Sequence, residues 1–158
     1  MKKINWKVLI VLLVAVYAIA FLGSVFTSGS VNSDWYQTTK TSITPPSFVF
    51  PIVWNILFFL IALSIYFAWT SPKAKNLSTR KSIAILFGVN LFFNVLWSLI
   101  FFGLRNAQGA FFELIALWFS IVALLILTYG VNKKSFYLLI PYFIWVTFAG
   151  VLNWMIAF

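Results

Sequence analysis

Five apolar runs, each about twenty residues and so long enough to cross a hydrocarbon core of about 30 Å, follow one another with little between them. They cover Trp6–Thr27, Ser47–Trp69, Ser82–Leu104, Ala110–Tyr129 and Phe136–Ala157. Breakers mark the joints: Gly29–Ser33, Ser71-Pro72, Asn106–Gly109 and Gly130–Ser135. A backbone surrounded by lipid must satisfy its own hydrogen bonds, so each run is expected to be a helix. The expected fold is an all-α membrane protein, a single domain over residues 1–158 built as a bundle of five transmembrane helices. Composition agrees: 63% of residues are hydrophobic and 8% charged, against about 45–50% and about 25% in soluble domains. The first run has a basic start and the small-residue stretch "AIAFLG". It is longer than the roughly 7–15-residue core of a signal peptide, and it reads as a retained span.

The cations are sorted by side. Lys2, Lys3 and Lys7, then Lys73, Lys75, Arg80 and Lys81, then Lys133 and Lys134 fall on one face of the bundle, with only Lys40 and Arg105 on the other. The positive-inside rule places the N-terminus in the cytoplasm and the C-terminus outside, as in a multi-pass protein of a prokaryotic plasma membrane. The net charge of +9 therefore belongs to membrane topology and not to a nucleic-acid surface. Asn76-Leu77-Ser78 matches a glycosylation triplet, but its connection is cytoplasmic on this topology. Residues 28–46 become the first outer connection. Trp35-Tyr36 there suits headgroup depth, and Pro45-Pro46 suits a helix start. Two readings stand, an interfacial loop with an aromatic foot or a lid over the outer mouth.

Several chemistries are excluded. Cys and His are absent, which removes disulfides, thiolate chemistry and the common zinc and haem-iron ligands, so no metal site is expected. Asp34 and Glu113 are the only acids, too few for a paired-carboxylate hydrolase or a carboxylate metal cage. Glu113 lies about a turn below the outer end of the fourth span, where an interfacial ion pair with Arg105 is expected.

The third span places Asn90, Asn94, Trp97 and Phe101 on one helical face, and the fifth repeats the device with Pro141, Trp145, Ala149 and Asn153. Amides at such depth are either interhelical glue or donors lining a ligand pocket. Trp54, Trp97 and Trp118 lie about eight residues, or roughly 12 Å, from the outer ends of their spans, and Trp145 somewhat deeper. Trp6, Trp69 and Trp154 suit an interfacial belt. Trp118 is the mid-depth indole expected to face lipid. The others, if they converge, make a π-rich cavity for a flat aromatic guest.

At these residues the chain resembles the TspO/MBR family, the tryptophan-rich sensory proteins and translocator proteins also known as peripheral benzodiazepine receptors. The resemblance rests on Trp35-Tyr36, Lys40, Ser42, Thr44-Pro45-Pro46, Phe50 and Trp54 in the first loop and second span. The third span adds Asn94, Trp97, Ser98, Phe101-Phe102, Gly103 and Arg105, and the fourth adds Glu113. The last span adds Pro141-Tyr142, Trp145, Phe148-Ala149 and Leu152-Asn153. The resemblance implies a five-helix protein, commonly a homodimer, whose pocket is closed by the first loop and takes porphyrin or haem-type tetrapyrroles. By position that pocket includes Tyr36, Pro45, Trp54, Asn90, Asn94, Trp97, Trp145 and Ala149, with Lys40 and Arg105 as candidates to meet carboxylates. The family's Pro and Trp positions in the loop hold Thr41 and Ile43 here, so a stacking indole is lost. The C-terminal "VLNWMIAF" lacks the Tyr and Lys or Arg of the sterol-recognition pattern, which argues against specific sterol binding.

Three functions are weighed. The first is binding of tetrapyrroles in sensing, transport or regulation, with no cofactor required and porphyrin or haem as ligand. The second is light- and oxygen-dependent porphyrin degradation, in which Trp54 and Trp145 would be the redox participants. The third is a generic small-molecule transporter, for which the sequence offers no mid-membrane ionisable group and no repeat.

Overall fold

The computed structural model describes residues 4–158, so Lys2 and Lys3 lie outside the described residues. Those residues form helices α1 (Trp6–Thr27), α2 (Asp34–Thr39), α3 (Val49–Trp69), α4 (Leu77–Ser98), α5 (Ala107–Val131) and α6 (Lys133–Ala157), with no strand among them. Five of the six, all but α2, are long and apolar enough to cross a membrane. Their outward faces carry large apolar side chains, among them Val14, Leu22, Phe92, Phe112, Ile126 and Ile144. In water that exposure would be untenable; in lipid it is the solvent-matched surface.

Three spans exceed their apolar runs because polar residues start them. Asn76 accepts from Thr79 N at 2.7 Å, which begins α4 at Leu77 and not Ser82. Asn106 accepts from Gly109 N at 2.8 Å and begins α5. Asn132 is an extended residue that both ends α5 and caps α6, accepting from Lys134 N at 2.9 Å. Each side chain satisfies an N–H that the first helical turn leaves without a partner. In the other direction, α3 begins at Val49 and not Ser47, because Ser47 and Phe48 form a turn closed by Val49 N donating to Pro46 O at 2.9 Å. Pro141 sits inside α6 without ending it.

The spans close into a ring in which α1 lies between α3 and α4, α3 beside α6, α6 beside α5 and α5 beside α4. Ile61, Ala62, Ile83, Ile121, Leu124 and Leu139 form the fully buried core. At the end bearing the N-terminus, Ser64 and Ser135 exchange hydroxyl and carbonyl hydrogen bonds between α3 and α6. On α1 only Val16 and Gly23 are buried, so most of that helix faces lipid.

At its opposite end α4 widens into one π-helical turn, Leu99–Gly103, closed by Leu104 N donating to Leu99 O at 2.8 Å. Arg105 follows at φ 52°, a left-handed conformation that reverses the chain into α5. The wider turn keeps Phe101 and Phe102 both buried, at 3% and 7% exposure.

A cavity beneath the segment between the first two spans

The segment between α1 and α3 carries the short helix α2 and, after it, a turn closed by Thr44 N donating to Thr41 O. Ser33 caps the short helix α2, accepting from Tyr36 N at 3.3 Å, and Gln37 Nε2 donates to Val31 O at 2.8 Å. The helix is seated by aromatic contacts: Trp35 meets Phe101 edge-on with ring centres 5.6 Å apart, and Tyr36 lies 5.5 Å from Phe102. Offset and edge-on geometries of this kind are the favoured ones for aromatic pairs. Burial holds the Tyr36 phenol above its ordinary pKa, so it stays a neutral donor. At Thr41 the chain builds its own turn, with Thr41 N donating to Thr44 Oγ1 at 3.1 Å. Ile43 is exposed and does not line the space beneath.

Under α2 lies a cavity of about 700 Å³, within the usual range of about 300–1,000 Å³ for ligand pockets. Trp54 enters from α3, Asn94 and Trp97 from α4, and Trp145 and Ala149 from α6. The π turn supplies Phe101 and Phe102, and Tyr36 and Thr44 belong to the covering segment. The indoles are held in place by other rings. Trp97 stacks on Phe101 at 5.0 Å, Trp54 packs 5.5 Å from Phe58, and Trp145 meets Phe50 edge-on at 5.9 Å. Trp97 Nε1 also donates to Asn153 Oδ1 at 3.0 Å, and Asn153 Nδ2 donates to Ala107 O at 2.8 Å.

The amides divide by role. Asn90 is fully buried and outside the cavity lining; its Nδ2 donates to Ser120 Oγ at 2.8 Å and its Oδ1 accepts from the Tyr142 hydroxyl at 3.2 Å. It is the glue of the two readings. Asn94 does both things, donating from Nδ2 to the Tyr142 hydroxyl at 3.2 Å while lining the cavity. One hydroxyl on α6 thus ties together two amides of α4, and Ser120 extends the link to α5.

Pro45 also lies outside the lining, although Thr44 and Ser47 on either side of it contribute. Lys40 and Arg105 are both exposed and outside it, and Lys40 Nζ donates to Gln37 Oε1 at 2.6 Å. Trp118 projects from the other side of α5 into a shallow groove against α6, where its Nε1 donates to Thr147 Oγ1 at 2.9 Å. No residue of α5 lines the main cavity.

The expected ion pair between Glu113 and Arg105 does not form. Both Glu113 carboxyl oxygens are buried without a partner. The reason is helical phase: Glu113 shares its face with the buried Leu117, Ser120 and Leu124, four, seven and eleven residues on, and that face turns inward. Arg105 precedes α5 and is exposed.

Two contributors escape a reading of the sequence. The π turn leaves only a faint mark, the Gly103 that precedes Leu104-Arg105-Asn106. The share of α1 in the cavity (Ala20, Gly23, Ser24, Thr27) does have a visible sign, a run of small and hydroxyl residues at helical spacing.

Fold and site together define a polytopic membrane protein with an aromatic cavity under a short amphipathic cap. Residues 10–158 match the TspO/MBR family. The chain is 35% identical to the tryptophan-rich protein TspO of Archaeoglobus fulgidus over 94% of both chains. It is 33% identical to protein CrtK of Rhodobacter capsulatus over 85% of this chain and 81% of that one. With the human translocator protein it shares 30% identity over 86% and 80% of the two chains. The chain belongs to the TspO/MBR family.

Proposed function

We propose that this protein binds porphyrin-type tetrapyrroles in the cavity beneath α2, and that it serves in their sensing, transport or regulation. The observation that carries the proposal is the convergence of Trp54, Trp97 and Trp145 on one space of about 700 Å³. A porphyrin is a rigid aromatic disc, and indole faces are its natural partners. Ala149 beside Trp145 keeps that wall open where a larger side chain would project into the space. With neither His nor Cys in the chain, iron would lack its common protein ligands, which favours recognition through the face of the macrocycle. The ring carboxylates would point to the mouth, where Tyr36, Thr44, Ser28 and Asn32 offer donors. Relatives named as a sensory protein and a translocator protein are consistent with a part in sensing or transport.

Titration of protoporphyrin into detergent-purified protein, followed by quenching of tryptophan fluorescence, tests this. Two stacking partners at about 0.5–1.5 kcal/mol each predict a loss of roughly fivefold to a hundredfold in affinity for Trp54→Ala with Trp145→Ala. Trp118→Ala, on the far side of α5, leaves the affinity unchanged. Equal affinity in wild type and the double variant overturns the proposal.

A further inference from the structure

The cavity leaves one strongly charged surface unused. At the end of the bundle bearing the N-terminus, the described cations are Lys7, Lys73, Lys75, Arg80, Lys81, Lys133 and Lys134. The only acids of the chain lie elsewhere, Asp34 in α2 and Glu113 near the opposite end of α5.

These cations are not left to spread apart. The connection after α3 is pinned to the joint between α5 and α6: Ser71 Oγ donates to Val131 O at 2.8 Å, and Asn132 Nδ2 donates to Phe67 O at 3.0 Å. Lys73 Nζ donates to Gly130 O at 2.9 Å, which brings it to the joint that carries Lys133 and Lys134. Aromatic rings hold three more of them. Arg80 lies 5.4 Å over Trp69 and donates from Nε to Ala74 O at 3.0 Å. Lys133 lies 5.3 Å over Tyr129, and Lys134 lies 5.7 Å over Phe67. Trp and Tyr at span ends belong at headgroup depth, so their rings fix the cations in the plane of the lipid phosphates.

Like charges gathered without a carboxylate repel one another unless an outside anion sits among them. A zwitterionic headgroup brings its own ammonium and cancels most of its phosphate. We infer that this platform, from Lys73 and Arg80 across to Lys133 and Lys134, is a binding surface for phospholipids whose headgroups carry net negative charge. It is independent of any ligand in the aromatic cavity.

The test uses the full chain in phosphatidylcholine nanodiscs doped with bromine-labelled phosphatidylglycerol or bromine-labelled phosphatidylcholine, with tryptophan quenching as the readout. Wild type is quenched more by the anionic lipid at equal mole fraction, and the preference shrinks as sodium chloride rises. Each neutralised cation lowers relative affinity by up to about fivefold, so Arg80→Gln with Lys133→Gln and Lys134→Gln brings the preference close to one. Lys40→Gln with Arg105→Gln, at the other end, leaves it intact. If the triple variant fails to fold, the salt titration on wild type decides. The inference is overturned by an absent or salt-insensitive preference in wild type, by a triple variant that keeps it, or by equal loss in the opposite-end pair. Loss of the preference to inorganic phosphate, beyond what chloride of equal ionic strength causes, overturns it as well.

Discussion

Replacing Tyr142 by phenylalanine removes the oxygen that links α6 to both buried amides of α4. Tyr142 is 0% exposed, and its hydroxyl donates to Asn90 and accepts from Asn94, both at 3.2 Å. Ring packing against Trp54, 6.3 Å away edge-on, is retained in the variant. The lost hydrogen bonds are long, and within membranes such bonds average about 0.6 kcal/mol with a ceiling near 1.7. To this is added the cost of leaving Asn90 Oδ1 without a donor in a dry interior, about 1–3 kcal/mol. Part of that cost is recovered by local adjustment, so a net loss of about 1–3 kcal/mol is expected. For a chain of this size that corresponds to roughly 3–10 °C in Tm. Thermal unfolding in detergent, followed by tryptophan fluorescence, reads the shift directly. Because the amide and the hydroxyl act as a unit, Asn90→Leu combined with Tyr142→Phe costs less than the sum of the two, by about 0.5 kcal/mol or more. A Tyr142→Phe variant as stable as wild type, or strictly additive losses in the pair, refutes the reasoning.

Other outcomes follow from the same geometry. Phe101→Ala removes the ring on which both Trp35 and Trp97 rest, so it lowers stability by about 3 kcal/mol, measured by thermal unfolding, and speeds porphyrin release in stopped-flow quenching. Glu113→Leu leaves stability unchanged or raises it, because the carboxyl it replaces is buried without a partner; a fall of more than about 2 kcal/mol contradicts this. Ala149→Leu projects into the cavity and lowers porphyrin affinity in the quenching titration, while its Tm stays within about 2 °C of wild type. Lys40→Gln with Arg105→Gln leaves that affinity within about threefold of wild type, since both side chains are exposed and outside the lining.

How much was legible depends on which force does the shaping. Lipid imposes one rule on every span, so five apolar runs read directly as five crossing helices. Their true starts were hidden in residues that hydropathy ignores: Asn76, Asn106 and Asn132 begin helices inside polar stretches by capping, and a cap signals itself only by type and position. Periodicity placed Asn90 and Asn94 on one stripe, and they do share it. It does not say how deep a cavity reaches, and Asn90 falls one turn beyond it into the grip of Tyr142 and Ser120. Glu113 shows the opposite failure. Proximity along the chain suggested Arg105, whereas helical phase, equally readable from Leu117, Ser120 and Leu124, turns the carboxyl inward. The seat of α2 was out of reach, because it depends on a π turn that no local propensity announces.

The central claim is that a tetrapyrrole lies among indoles within the bundle and not against its lipid-facing sides. A structure of the protein with protoporphyrin bound tests it most directly. The macrocycle is predicted to lie beneath α2, against Trp54, Trp97 and Trp145. A macrocycle found on an outer face, such as the groove of Trp118 between α5 and α6, with the cavity empty, would contradict the account.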